Sequence, residues 1–86
     1  MMFSVTLGAR ARKDLKRLKK TVFYSKIVRA LQALETNPYT GDIKYLPTYK
    51  LADWRLRVGD YRILYDVDKE RKEVQILRIW HRGHGY

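Results

Sequence analysis

The chain has no cysteine, which excludes a disulfide framework and any thiolate metal site. It has no apolar run near the ~18 residues of a membrane-spanning helix. Its opening, MMFSVTLGARARKD, lacks the apolar stretch of a secretory signal. These two absences lead us to expect a cytoplasmic protein with no membrane partner. A glycine-rich phosphate loop and a serine or cysteine nucleophile motif are also missing. If the protein is an enzyme, the attacking group comes from its substrate. Internal repeats, low-complexity stretches and linkers are absent, so residues 1–86 read as one small domain. Acidic residues are scarce as well. Nine Asp and Glu stand against 19 Lys and Arg, a net charge of +10. That balance attracts nucleic acid, an acidic protein or an anionic surface without choosing among them.

What is present is organised around Trp54–Tyr65, WRLRVGDYRILY. It reads as two strands joined by a two-residue turn at Gly59-Asp60, with glycine in the first turn position of a type II′ hairpin. In that register Arg57 faces Arg62, Arg55 faces Leu64 and Trp54 faces Tyr65. One face then carries Trp54, Leu56, Val58, Tyr61, Ile63 and Tyr65, and the other Arg55, Arg57, Arg62 and Leu64. Like charges directly opposed across strands are unfavourable, so an anion between Arg57 and Arg62 would explain their placement. The structural alternative is that Arg62 pairs with a carboxylate such as Asp66 or Glu73.

The remaining elements follow from periodicity. Phe3, Val5 and Leu7 alternate with polar residues as a first strand. Ala11, Leu15 and Leu18 form the apolar stripe of a helix over about residues 9–19. Arg10, Arg12, Lys13, Lys16, Arg17, Lys19 and Lys20 cover the rest of that helix. They form either a solvated face or an electrostatic surface for nucleic acid. Thr21 is placed to cap a second helix carrying Tyr24, Ile27, Val28, Leu31 and Leu34, which Asn37-Pro38 ends. Residues 37–53 read as a long connection with a short extended piece near Ile43 and Tyr45. Asp66–Glu73 reads as a polar turn and Val74–Trp80 as the last strand. The pattern βααβββ predicts an α+β fold, with an N-terminal helical hairpin packed on one face of a small, mostly antiparallel sheet. Leu77 and Ile79 are expected on the covered face. Arg78, Trp80 and Arg82 are expected with the hairpin arginines on an open one.

That open face gathers arginines, whose planar donor forks match phosphate, with an aromatic ring able to stack on an unpaired base. The combination suits single-stranded RNA better than a duplex groove. His81 and His84, with no carboxylate beside them, make a poor metal site. They are better read as proton-transfer groups.

The hairpin W-R-L-R-V-G-D-Y-R-I-L-Y and the ending I-L-R-I-W-H-R-G-H-G-Y resemble the RelE/ParE toxin superfamily of toxin–antitoxin pairs over nearly the whole chain. RelE-like members cleave mRNA in the ribosomal A site, whereas ParE-like members share the fold but poison DNA gyrase. The resemblance implies catalytic roles for Arg62, Arg82 and Tyr86; His84 joins them as a candidate general acid or base on the chemistry of histidine. The resemblance also implies RNA contacts from Arg55 and Arg57, with Arg78, Trp80 and His81 nearby on the same surface. It further implies no cofactor or metal, a RelB-like antitoxin partner and a toxin–antitoxin complex of heterotetramer size or larger. The two histidines depart from RelE itself, which manages without histidine.

Overall fold

The computed structural model describes residues 2–84, with the backbone alone for His84. Its elements are β1 (Ser4–Leu7), α1 (Ala9–Leu18), α2 (Tyr24–Thr36), β2 (Ile43–Tyr45), β3 (Trp54–Val58), β4 (Tyr61–Asp68) and β5 (Glu73–His81), followed by a 3-10 turn at Arg82–His84. The five strands lie in the order β1-β5-β4-β3-β2. β1 runs parallel to β5, and all other neighbours are antiparallel. The fold is therefore α+β, two helices on a mixed sheet. Among the described residues no helix is long and apolar enough to cross a membrane.

The central hairpin has the register expected from its sequence, with Arg57 opposite Arg62 and Trp54 opposite Tyr65. Gly59 has φ +60°, the left-handed conformation that the first position of a type II′ turn requires and that glycine adopts without strain. The helix-side face of the hairpin joins Ala11, Leu18, Ile27, Leu31, Leu34, Val74, Ile76 and Ile79 in one core. Each fully buried aliphatic side chain there contributes about 1.5–3 kcal/mol relative to exposure. The Tyr65 ring is also fully buried, and its hydroxyl donates a 2.7 Å hydrogen bond to the Pro38 carbonyl. This bond ties the end of the helical hairpin to the sheet. Burial, and secondarily the nearby Tyr39, push the Tyr65 hydroxyl well above its ordinary pKa.

Four expectations are corrected. The extended piece near Ile43 is a true edge strand, β2, paired with β3, so the sheet gains a strand. Thr21 does not cap α2. Its hydroxyl accepts the Phe23 N–H and donates to the Leu18 carbonyl, closing the turn between the helices. The polar turn after β4 is shorter than expected because β4 and β5 stay paired to Asp68 and Glu73. Finally, a bulge lies in the β4–β5 ladder, where Leu64 pairs with Arg78 but Tyr65 pairs with Ile76. The extra residue is Leu77. It is therefore Ile76, fully buried, and not Leu77 that joins Ile79 in the core. A bulge inserts one residue and shifts the alternation of everything on one side of it.

Candidate nucleic-acid interface

The sheet face away from the helices carries two transverse rows set by register. One is Arg57–Arg62–Trp80 across β3, β4 and β5. The next is Lys44–Arg55–Leu64–Arg78 across β2 to β5. Arg82 follows immediately, and its N–H donates to the Asp60 carbonyl, which holds it at the Gly59-Asp60 turn. Its guanidinium lies 3.8 Å from the exposed Asp60 carboxylate. The bulge makes this gathering possible: Arg78 and Trp80 stand on the arginine face while Ile76 stays in the core.

The cations of this face differ in how they are engaged. Arg57 Nε donates to Asp42 Oδ2 at 2.8 Å, and Arg55 Nη1 lies 4.0 Å from the other oxygen of the same carboxylate. The Arg78 fork is held by Asp14 on α1 through bonds of 2.8 and 3.0 Å. The same carboxylate also accepts the Ile79 N–H at 2.9 Å. Asp14 is 7% exposed, the one buried charged residue among those described. The Arg78 guanidinium also lies over the Trp80 ring, 4.6 Å from its centroid. Arg78 was expected among the RNA contacts. Committed to Asp14, it is placed to support Trp80 from behind.

Arg62 is different. Among the described residues it forms no ion pair, and its Nη1 is buried without a hydrogen-bond partner. The carboxylate alternative does not apply, because Asp66 instead accepts the Asp53 N–H at 2.7 Å. A buried guanidinium nitrogen without an acceptor is costly, and an anion placed there would relieve the cost. Arg55 Nε is buried and unpartnered in the same way.

This face is less open than the sequence suggested. Leu64 is fully buried outside the helix-side core, as is Ala52 at 3% exposure. The Arg55 side chain is 13% exposed. The face is also polarised along the strands. Its far end is a shallow hollow of about 590 Å³ lined by Asp53, Asp66, Asp68, Glu70 and Glu73 with Lys69 and Arg71. Burial raises the Asp66 pKa, the Asp53 N–H bond lowers it and the Asp53 charge raises it again, with a net upward shift. A polyanion is drawn to the turn end of the hairpin and repelled from this one.

His81 does not share the arginine face. It pairs with Tyr61, whose ring it meets edge-on at 5.3 Å, and its Nδ1 accepts the Gly83 N–H. It therefore sits at the rim of the helix side, across the sheet from Arg62. The His84 side chain and Tyr86 lie outside the described residues. Among the described residues no three of His, Asp and Glu gather as a metal-binding group. Asp14, Asp42 and Lys44 were not singled out from the sequence. Asp14 carried a usable signal: it is an acid on the Ala11–Leu18 stripe of an otherwise basic helix.

The family described as "ParE toxin of type II toxin-antitoxin system, parDE" matches residues 5–86. Toxin RelG of Mycobacterium tuberculosis is 31% identical over 86 residues, covering 100% of this chain and 98% of the relative. The archaeal RelE–RelB complex from Pyrococcus horikoshii superposes with a TM-score of 0.79 at 29% identity, covering 99% of this chain and 100% of the other. The toxin–antitoxin complex RelBE2 from M. tuberculosis gives 0.75 at 30% identity, covering 95% and 100%.

Proposed function

This chain belongs to the ParE toxin family of type II toxin–antitoxin systems, within the RelE/ParE superfamily, and we propose that it is a RelE-type endoribonuclease that cleaves mRNA in the ribosomal A site. One observation carries this reading. Arg62 stands between Arg57 and Trp80 on the helix-free face with a buried, unpartnered guanidinium nitrogen. That is the arrangement needed to hold a phosphate whose negative charge grows during reaction. The similarity to RelG and to two RelE–RelB-type toxins adds support.

The reaction is attack of a ribose 2′-hydroxyl on the adjacent phosphorus. The 5′-oxygen bond of the next nucleotide breaks, leaving a 2′,3′-cyclic phosphate and a 5′-hydroxyl. Arg62 and Arg82 stabilise the charge on the phosphate oxygens. Arg55, Arg57 and Lys44 position the backbone. Tyr86 or His84 takes the 2′-hydroxyl proton, and a histidine or Arg82 supplies the proton to the departing oxygen. Trp80, supported by Arg78, offers the stacking surface. The partner is a RelB-like antitoxin, as in the complexes of the similar structures. An acidic antitoxin segment that folds on binding would cover the basic surface. The family description favours a second reading, a ParE-like inhibitor of DNA gyrase that does no chemistry.

Mapping mRNA ends after incubation with translating ribosomes tests the first reading, and a gyrase supercoiling assay the second. Cleavage within A-site codons is expected. Intact mRNA together with blocked supercoiling would replace the ribonuclease reading with the second.

A further inference from the structure

The structure assigns a base-binding groove beside the phosphate site, between the end of α1 and the free edge of β5, and we propose that it takes one unpaired guanine. The inference rests on the ribonuclease reading in one respect, that the ligand is RNA. β1 pairs with β5 only from Glu73 to Ile76, so Leu77–His81 has no strand on that side. α1 lies alongside instead, anchored by the Asp14 carboxylate on the Ile79 N–H and the Arg78 fork. Between them is a groove of about 190 Å³, with Leu18, Tyr61 and Trp80 as apolar and aromatic walls and Arg17 and His81 among its polar lining. It wraps the sheet edge, so residues from both faces line it.

The polar groups of this groove set the base. The Asp14 carboxylate already accepts three hydrogen bonds, two of them from the Arg78 guanidinium that neutralises it, so it is a poor acceptor for a base amino group. Arg17 is exposed and has no ion pair among the described residues. His81 Nδ1 accepts the Gly83 N–H, which leaves the proton of the neutral ring on Nε2. What the groove offers is therefore donors. Guanine presents two adjacent acceptors, N7 and O6, whereas adenine and cytosine each present an amino donor on the corresponding edge. Trp80 is paired with Arg62. The Trp80 wall of the groove thus lies one strand spacing, about 4.7–4.9 Å, from the line of the phosphate site, and the groove opens on its far side. A base can enter it while a neighbouring phosphate rests on Arg62.

The test uses the whole chain and short 2′-O-methyl uridine oligonucleotides, which cannot undergo 2′-hydroxyl attack, carrying one guanine, one adenine or neither. NMR titration at fixed salt gives both affinity and location. The guanine oligonucleotide should bind about 10-fold or more tightly than the others, shifting the Trp80 indole N–H and the His81 ring protons. Arg17→Ala, on an exposed helix surface, should bring the three oligonucleotides within about 2-fold of each other with an unchanged melting temperature. Equal affinities in the wild-type protein, a guanine preference that survives Arg17→Ala, or shifts confined to Arg57, Arg62 and Arg82 would each overturn the groove. Those outcomes beside intact ribosomal cleavage remove the groove alone. Guanine-selective binding without ribosomal cleavage leaves the groove standing and removes the ribonuclease.

Discussion

Arg57 and Arg62 face each other directly across the β3–β4 hairpin, and of the two only Arg57 is paired with the Asp42 carboxylate. The repulsion is answered on one side. Arg62 keeps its charge, its buried Nη1 and no partner among the described residues. The hairpin is thereby less stable than it could be, at the position where a phosphate would restore balance.

Replacing Arg62 by Ala should therefore leave the antitoxin-free protein as stable as before, or more stable by up to about 1 kcal/mol. That corresponds to a melting temperature unchanged or higher by about 4–8 °C. Single-turnover cleavage on ribosomes should fall by roughly 10²-fold or more. A clear loss of melting temperature with cleavage intact would make Arg62 a structural residue.

Asp14 behaves in the opposite sense. Its carboxylate is buried and accepts three hydrogen bonds from β5. Asp14→Ala strands the Arg78 charge and should cost about 3–5 kcal/mol. The melting temperature should fall by more than about 10 °C. The double variant Asp14→Ala/Arg78→Met should regain most of it, since a buried pair replaced by apolar groups is often neutral. A loss below about 1 kcal/mol in the single variant would mean that the pair does not anchor α1.

Asp66 gives a pH signature. Its folded pKa is raised above the ordinary 3.8, first of all by burial, so the folded state holds its proton more tightly than the unfolded chain. Stability contributed by this group is present at low pH and is lost as pH rises from 3.8 through the raised folded value. Asp66→Asn, whose Oδ1 can still accept the Asp53 N–H, should raise the melting temperature at neutral pH and flatten its fall across that window. Thermal unfolding measured against pH checks this, and an unchanged slope would contradict it.

Tyr65 gives the alkaline counterpart. With its hydroxyl buried and its pKa pushed upward, the ring stays protonated until the fold opens. Stability is lost as pH climbs past about 10, the value of an unfolded tyrosine. The phenolate absorbance of Tyr65 should rise together with the loss of far-ultraviolet circular dichroism. Tyr65→Phe should remove that late step and cost about 1–2 kcal/mol at neutral pH by stranding the Pro38 carbonyl.

The hairpin register, the helix stripes and the split between the Tyr65 and Arg62 faces were readable because each depends on short-range periodicity and one turn glycine. The bulge at Leu77 was not: its one trace is the odd spacing of Gln75 and Arg78, the two polar residues of VQILRIW, and a single odd spacing in an otherwise apolar run does not fix where the extra residue sits. The ion pairs Asp14–Arg78 and Asp42–Arg57 join residues 64 and 15 positions apart, and no local pattern specifies them. The arginine set was therefore legible as a set. Which member is tied down and which is left exposed to a ligand was decided by tertiary contacts.

The parallel pairing of β1 with β5 also has a consequence in time. A chain emerging from the ribosome carries β1, both helices and three further strands before β5 is available. Until then β1 has no strand to join, Asp14 has no arginine to hold, and the Arg57–Arg62 row lacks its tryptophan. Such long-range closure makes folding slow relative to local structure. The face that carries Arg57, Arg62 and Trp80 is thus the last part of the sheet to close.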